Sequence, residues 1–252
     1  MSAGTLIFLC VAGFLAAAVD SIAGGGGLIS LPAIIAAGVP PHLALGTNKF
    51  ASTSASLTST IQFALSKRID FRLVLWQLPC TALGAALGVR TVLALDERVL
   101  NVMIVVMVFA VALYTTLKKD FGATDRFKGH SRSGHAAGMA FAFALGFYDG
   151  FFGPGTGSFL IFLFIAIYGY DFVGAAANGK ILNFASNAVS LSLFAIGGKV
   201  VYAAAVPMAL AMIAGAWVGT HVAIKNGARV IKPIFIVIAL ALIAKLVWQT
   251  LS

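Results

Sequence analysis

Four charged side chains lie in or beside strongly apolar stretches, at matching places in the two halves of the chain. Lys49 and Lys180 fall inside apolar segments, and Asp20 and Asp149 each precede a glycine-rich run. A cation at the centre of a membrane helix costs roughly 3 kcal/mol, so it must face a partner or a wet cavity. Three interpretations stay open. In the first, Asp20 pairs with Lys49 and Asp149 with Lys180; in the second, both lysines line an anion site; and these two can coexist if an anion competes with the aspartates for the lysines. In the third, the lysine side chains reach the membrane interface.

The glycine-rich runs, residues 24–27 and 153–157, favour the anion site. Each is followed at once by a short apolar segment, which begins near Gly27 in the first half and near Gly157 in the second. A helix N-terminus presents free N–H groups and roughly half a positive charge, and glycine lets a ligand approach the backbone closely. The alternative is that the glycines only allow close helix packing. The candidate ligands in these runs are Gly25, Gly26, Gly27, Gly155, Thr156, Gly157 and Ser158.

Asparagines add candidate ligands beside the lysines. Asn183 and Asn187 are four residues apart and Lys180 precedes Asn183 by three, so the three share one helix face. The candidate substrate-binding side chains on the long helices are therefore Lys49, Lys180, Asn48, Asn183 and Asn187. Asp20 and Asp149 are candidate ion-pair partners or proton carriers, as intramembrane carboxylates often are. The Ser/Thr-rich stretch 52–60 either lines a wet path or bonds neighbouring helices.

Composition indicates a membrane protein. Of 252 residues, 60% are hydrophobic and 10% charged, and apolar stretches near 18 residues recur, as in transmembrane helices. We predict an all-α polytopic bundle of about 8 spanning segments, or up to 10 with short half-helices. The net charge of +9 lies mostly in short connections, which fits the positive-inside rule better than a nucleic-acid partner. The expected partners are the lipid bilayer and a small anion, and a homodimer is compatible with the sequence.

No catalytic residue, metal site or cofactor is predicted. The histidines and cysteines show no metal-ligand spacing and no arrangement of a nucleophile with a base. The sequence therefore disfavours a membrane-embedded enzyme.

The two halves repeat one pattern. Asp20 and Asp149 are 129 residues apart, and Lys49 and Lys180 are 131 apart. Pairs of glycines, Gly84 with Gly88 and Gly215 with Gly219, share the second offset and indicate close helix packing. We predict a first transmembrane repeat at residues 1–117, a basic loop at 118–134 and a second repeat at 135–252. Apolar segments are expected at residues 5–19, 28–39, 43–65, 73–95 and 99–117, and at 136–148, 159–167, 171–196, 201–224 and 231–251.

The distribution of basic residues favours inverted repeats. If each glycine segment is the tip of a hairpin that returns to its own side, Lys and Arg divide 11 to 3 between the two sides. If each is a broken helix that continues across the membrane, they divide 9 to 5. The first division is the stronger positive-inside bias, and the second stays the alternative. Both put the central loop in the cytoplasm.

The motifs also resemble a known family. Residues 24–32 (GGGGLISLP), Pro41 and residues 45–49 (LGTNK) are similar to the first-half pattern of the TauE/SafE family of sulfite and organosulfur anion exporters. Residues 146–158 (GFYDGFFGPGTGS), Lys180 and residues 183–187 (NFASN) resemble its branch of probable membrane transporters. The resemblance spans nearly the whole chain. It implies a multi-pass secondary transporter of a bacterial inner membrane that exports small anions such as sulfite or sulfonates.

The residues and the resemblance together predict alternating access around a mid-membrane anion site. Asp20 and Asp149 are the candidate proton carriers if transport is coupled to protons. A passive anion channel is the alternative, since it would need the same residues.

Overall fold

A computed structural model describes residues 1–117, 126, 127, 129 and 131–226, and these residues are helical apart from turns and connections. The predicted segment 231–251 and most of the central loop lie outside the described residues. The helices are α1 (Ala3–Ala23), α2 (Gly27–Ala36), α3 (Pro41–Leu65), α4 (Phe71–Leu93), α5 (Glu97–Leu117), α6 (Arg132–Phe151), α7 (Thr156–Leu163), which continues as a π-helical turn (Phe164–Tyr168), α8 (Phe172–Ile196) and α9 (Tyr202–Asn226).

Side-chain caps explain where several of the long helices begin. The side chains of Ser2, Asp70, Ser131 and Asp171 precede α1, α4, α6 and α8, and each accepts a hydrogen bond from a backbone N–H in the first turn. Such caps satisfy one of the N–H groups that a helix leaves without an internal partner. The short residues just before these apolar runs therefore fix the helix starts.

Four helices, α1, α4, α8 and α9, are long and apolar enough to cross a bilayer. Their outward faces carry large apolar side chains such as Trp76 and Trp217, both more than half exposed. In water such a surface would be unfavourable, whereas in a bilayer it contacts lipid. The chain is thus a multi-pass membrane protein.

The helical backbone breaks at the glycine runs because glycines there adopt left-handed conformations. Gly24 and Gly25 have φ of 72° and 92°, and Gly153 and Gly155 have φ of 95° and 88°. These values are strained for other residues. Helices α1 and α6 run further than the apolar pattern predicts, so Asp20 and Asp149 lie in their last turns and not in the breaks themselves.

The chain turns back on itself at each break. In the second half, the hydroxyl of Tyr168, at the end of the α7 segment, donates to the carbonyl oxygen of Gly134 in the first turn of α6, at 2.9 Å. In the first half, Gly26 lies so close to α1 that an added Cβ would collide with the carbonyl oxygen of Ala16. Each break is therefore the tip of a hairpin, as the cleaner charge division predicts.

The two hairpins enter from opposite ends of the bundle. At one end, the N–H of Asp70 before α4 donates to Asn178 of α8 at 2.8 Å, close to the start of α6. At the other end, the N–H of Val201 before α9 donates to Thr47 in α3 at 3.0 Å. We call the first the basic end, since Lys67, Arg68, Arg72, Arg132 and Lys225 lie there, and the second the opposite end, which carries Arg90, Arg98 and Lys199.

Small residues allow the long helices to touch along their backbones. A Cβ at Gly84 or Gly88 of α4 would collide with carbonyl oxygens of Phe143 or Phe147 in α6. A Cβ at Gly215 or Gly219 of α9 would likewise collide with carbonyl oxygens of α1. The packing role predicted for these four glycines is confirmed, and α4 packs on α6 in the same way as α9 packs on α1.

The two hairpin tips meet in the middle of the molecule. The hydroxyl of Ser158 donates to the carbonyl oxygen of Ala23 at 2.9 Å. A Cβ at Gly24 would collide with the backbone N of Ser158, and one at Gly27 would lie 2.8 Å from the Cα of Pro154. Glycine at these positions is therefore required for the tips to pack. Apolar clusters on both sides of the tips form the core.

Candidate functional site

The first buried ion pair joins Lys49 of α3 to Asp149 at the end of α6. The Lys49 Nζ lies 2.8 Å from Asp149 Oδ2, and the two side chains are only 3% and 2% exposed. Lys49 also donates to Oδ1 of Asn187 in α8 at 2.9 Å. The ammonium thus has an ionic partner and a neutral acceptor, which offset much of the cost of removing it from water.

The second ion pair joins Lys180 of α8 to Asp20 at the end of α1. The Lys180 Nζ lies 2.7 Å from Asp20 Oδ2 and donates to the backbone oxygen of the same residue at 2.8 Å. The other carboxylate oxygen accepts from the N–H of Gly26 at 3.1 Å. The Asp20 side chain is 20% exposed, while Lys180 is buried.

The pairing expected within each half is wrong. Asp20 pairs with Lys180 and not with Lys49, and Asp149 pairs with Lys49 and not with Lys180. The reason is that the hairpin tips meet in the middle of the molecule. The last turn of α1 therefore faces α8, and the last turn of α6 faces α3. Each ion pair therefore bridges residues 1–117 and 135–252.

A small cavity of about 20 Å³ lies between the two pairs. This is room for one or two water molecules. Its walls come from both hairpin tips and from α3, α8 and α9, and its lining residues are Asp20, Gly26, Gly27, Asn48, Lys49, Ser52, Asp149, Gly153, Gly155, Gly157, Asn183, Asn187 and Met212.

Most of the predicted site residues therefore come together around one cavity. Lys180 is not among the lining residues, but its partner Asp20 is. Gly25 lies in the break without lining the cavity. The side chains of Thr156 and Ser158 are bonded to the backbone oxygens of Gly153 and Ala23, so they hold the tips in shape.

Three lining residues, Ser52, Gly153 and Met212, were not among the predicted site residues, although Ser52 begins the Ser/Thr-rich stretch 52–60. Gly153 belongs to the second glycine run, and its positive φ brings the backbone close to Lys49, where an added Cβ would lie 3.0 Å from Nζ. The glycine pattern contained that signal. Met212 lies in an apolar stretch of α9, and only the packing of α9 brings it to the cavity.

The asparagines differ in how they are held. Asn187 binds Lys49, as above, and Oδ1 of Asn48 accepts from the hydroxyl of Ser30 in α2 at 2.6 Å. Asn183 is buried at the cavity wall. These amides bring hydrogen-bond donors and acceptors to the cavity between the two ion pairs.

The net charge of the site limits what it can bind. Each ammonium is balanced by one carboxylate, so the described site is neutral overall. An ion that entered without a compensating charge would carry the large cost of an unpaired buried charge. Among the described residues, no group of three or more His, Cys, Asp or Glu is placed to hold a metal ion.

Comparison with known proteins finds similarity to membrane transporters. A family model for the sulfite exporter TauE/SafE matches residues 9–246. A probable membrane transporter protein of Haemophilus influenzae is 35% identical over 244 residues, which are 96% of this chain and 94% of that protein. One of a Sinorhizobium species is 38% identical over 247 residues, 96% of this chain and 92% of the relative, and one of Escherichia coli is 34% identical over 251 residues, 98% and 90%.

No solved structure matches the chain. The match to the family model covers nearly the whole length of the sequence, and the relatives align with it from end to end. The chain therefore belongs to the sulfite exporter TauE/SafE family, as its glycine motifs predicted.

Proposed function

We propose that this protein is a secondary transporter that exports small anions of the sulfite or organosulfur type, by alternating access around the cavity between the hairpin tips. The observation that carries the proposal is the pair of crossed Lys–Asp contacts, Lys49 with Asp149 and Lys180 with Asp20. Two buried ammonium groups beside one polar cavity form an anion site whenever the carboxylates give way.

The proposed architecture is a pair of inverted repeats in a bacterial inner membrane, with two hairpins that enter from opposite sides and meet tip to tip, and with the central loop in the cytoplasm. The opposite entry of the hairpins supports the inversion, since α1 packs on α9 as α6 packs on α4. The concentration of Lys and Arg at the basic end supports a cytoplasmic position for that end.

In the proposed mechanism the anion replaces a carboxylate as the partner of a lysine. The displaced Asp20 or Asp149 accepts a proton, so the site stays neutral while it is loaded. Because the cavity of about 20 Å³ is too small for an anion of four or more non-hydrogen atoms, loading requires the tips to separate. Each ion pair bridges the two halves, so breaking it frees one half to rock against the other.

Flux measurements in proteoliposomes test the proposal. The charge-neutral variants Lys49→Met/Asp149→Leu and Lys180→Met/Asp20→Leu leave no unpaired buried charge, so both should fold. We expect sulfite or sulfonate flux to fall at least about tenfold in each, because a charge-assisted hydrogen bond contributes about 1.5–3 kcal/mol. Lys225→Met, at an exposed position of α9, is the matched control and should transport like the wild type.

Two outcomes would contradict the proposal. Wild-type flux in both paired variants would show that these lysines and aspartates do not form the anion site. Flux that rises in proportion to anion concentration without saturating would indicate a channel instead of a transporter. A pH-sensitive dye in the same vesicles tests the coupling, and we expect one proton to move with each monovalent anion.

A further inference from the structure

A positively charged groove lies at the basic end of the bundle, apart from the ion pairs. It is a groove of about 460 Å³ between the first turns of α4 and α6, lined by Arg72, Trp76, Arg132, His135, Ala136 and Met139. We propose that this groove binds the headgroup of an anionic phospholipid, with its phosphate between Arg72 and Arg132.

The first turns of α4 and α6 each place an arginine at the entrance of the groove, which we call the mouth. Arg72 is the second residue of α4 and Arg132 the first of α6, and both side chains are exposed. Because α4 and α6 run parallel in close contact, with Gly84 and Gly88 against Phe143 and Phe147, their first turns lie side by side.

Below the mouth the groove turns apolar. Trp76 follows Arg72 by one helical turn, and Met139 follows Arg132 by two turns, so the lining descends from charge to hydrocarbon within about 10 Å. Trp76 is 64% exposed one helical turn after Arg72, and tryptophan is enriched at the boundary between headgroups and acyl chains. A soluble anion would use only the mouth, whereas a phospholipid fills both parts.

One helix end adds to the attraction. The N-terminus of α6 carries partial positive charge toward the mouth and is capped by the neutral Ser131, whereas the carboxylate of Asp70 already caps α4. Basic pockets between transmembrane helices on the cytoplasmic side are favourable sites for anionic lipid headgroups, and each Lys or Arg near the surface contributes about fivefold in affinity. The groove thus differs from the lipid-facing surface around it, which offers only apolar contacts.

Native mass spectrometry of the full chain with phosphatidylglycerol tests the proposal. We expect the wild type to retain phosphatidylglycerol in preference to phosphatidylcholine, and Arg72→Gln/Arg132→Gln to lose about thirtyfold in affinity for it. The matched control is Arg90→Gln/Arg98→Gln at the opposite end, where both positions are also exposed; it should keep wild-type affinity. Arg72→Lys/Arg132→Lys keeps the charge and should retain most of the binding.

Three results would overturn the assignment. They are equal retention of the two lipids by the wild type, undiminished phosphatidylglycerol binding in the Gln variant, and displacement of phosphatidylglycerol by an equal concentration of glycerol 3-phosphate. The last would show a site for a soluble phosphate. If the Gln variant failed to fold, the Lys variant would still decide the matter, since loss of binding there would contradict a site based on charge.

Discussion

The two ion pairs are alike in composition and differ in surroundings. Lys49 and Asp149 are sealed, and Lys49 has Asn187 as a second side-chain partner. Lys180 and Asp20 lie nearer to water, since Asp20 is 20% exposed, and Lys180 takes a backbone oxygen as its second partner. Corresponding residues of two similar halves thus sit in unequal environments. The contrast teaches that the two pairs differ in exposure, and we expect water to reach Asp20 more readily than Asp149.

The largest expected effect comes from removing one carboxylate of the sealed pair. Asp149→Asn leaves the Lys49 ammonium buried without an ionic partner, and we expect a loss of about 3–5 kcal/mol in the free energy of unfolding. Asp20→Asn should cost less, about 1–2 kcal/mol, because water reaches that side of the pair and replaces part of the lost interaction.

Denaturation of the purified proteins in one detergent, followed by circular dichroism, gives both values. Lys225→Met is the control for a change of charge at an exposed site. Equal losses of unfolding free energy in the two Asn variants would contradict the difference between the pairs. They would mean that both pairs are equally hydrated in solution.

A double-mutant cycle tests the crossed pairing itself. We expect Lys49→Met and Asp149→Leu to couple by about 1.5–3 kcal/mol in the free energy of unfolding, as partners in a buried pair do. Lys49→Met and Asp20→Leu should couple clearly less, because Asp20 lies against Lys180. The stability measurements above supply the data, with single and double variants compared at one pH. A larger coupling between Lys49 and Asp20 would contradict the crossed pairing and support pairing within one half of the chain.

The smallest effect is expected from the amide that distinguishes the two lysines. Asn187→Ser shortens the side chain that accepts from Lys49 and should cost about 1.5 kcal/mol, the lower end of the usual contribution of a hydrogen bond to a charged group. Asn183→Ser is the matched control on the same helix face, one turn away. If the control cost as much as Asn187→Ser, the asymmetry between the pairs would not depend on this contact.

Much of the local structure followed from residue type. Glycines in succession between apolar runs predicted the breaks, and the structure has left-handed backbone at Gly24, Gly25, Gly153 and Gly155. The packing role of Gly84 and Gly215 was equally predictable, because small residues at helical spacing permit backbone contact. The ends of α1 and α6 were harder to predict, because Asp20 and Asp149 fit a final helical turn as well as a loop.

The sequence by itself determined the membrane class, the positions of the breaks and the presence of two lysines and two aspartates that need partners, because hydropathy, glycine and buried charge act locally. Which lysine meets which aspartate was decided only by tertiary structure. Partner choice depends on how the hairpin tips meet, and the contacts between Ala23 and Ser158 and between Gly27 and Pro154 join distant parts of the chain. No local pattern encodes that meeting, so the crossing of the pairs, the small cavity and the place of Met212 appear only in the folded molecule.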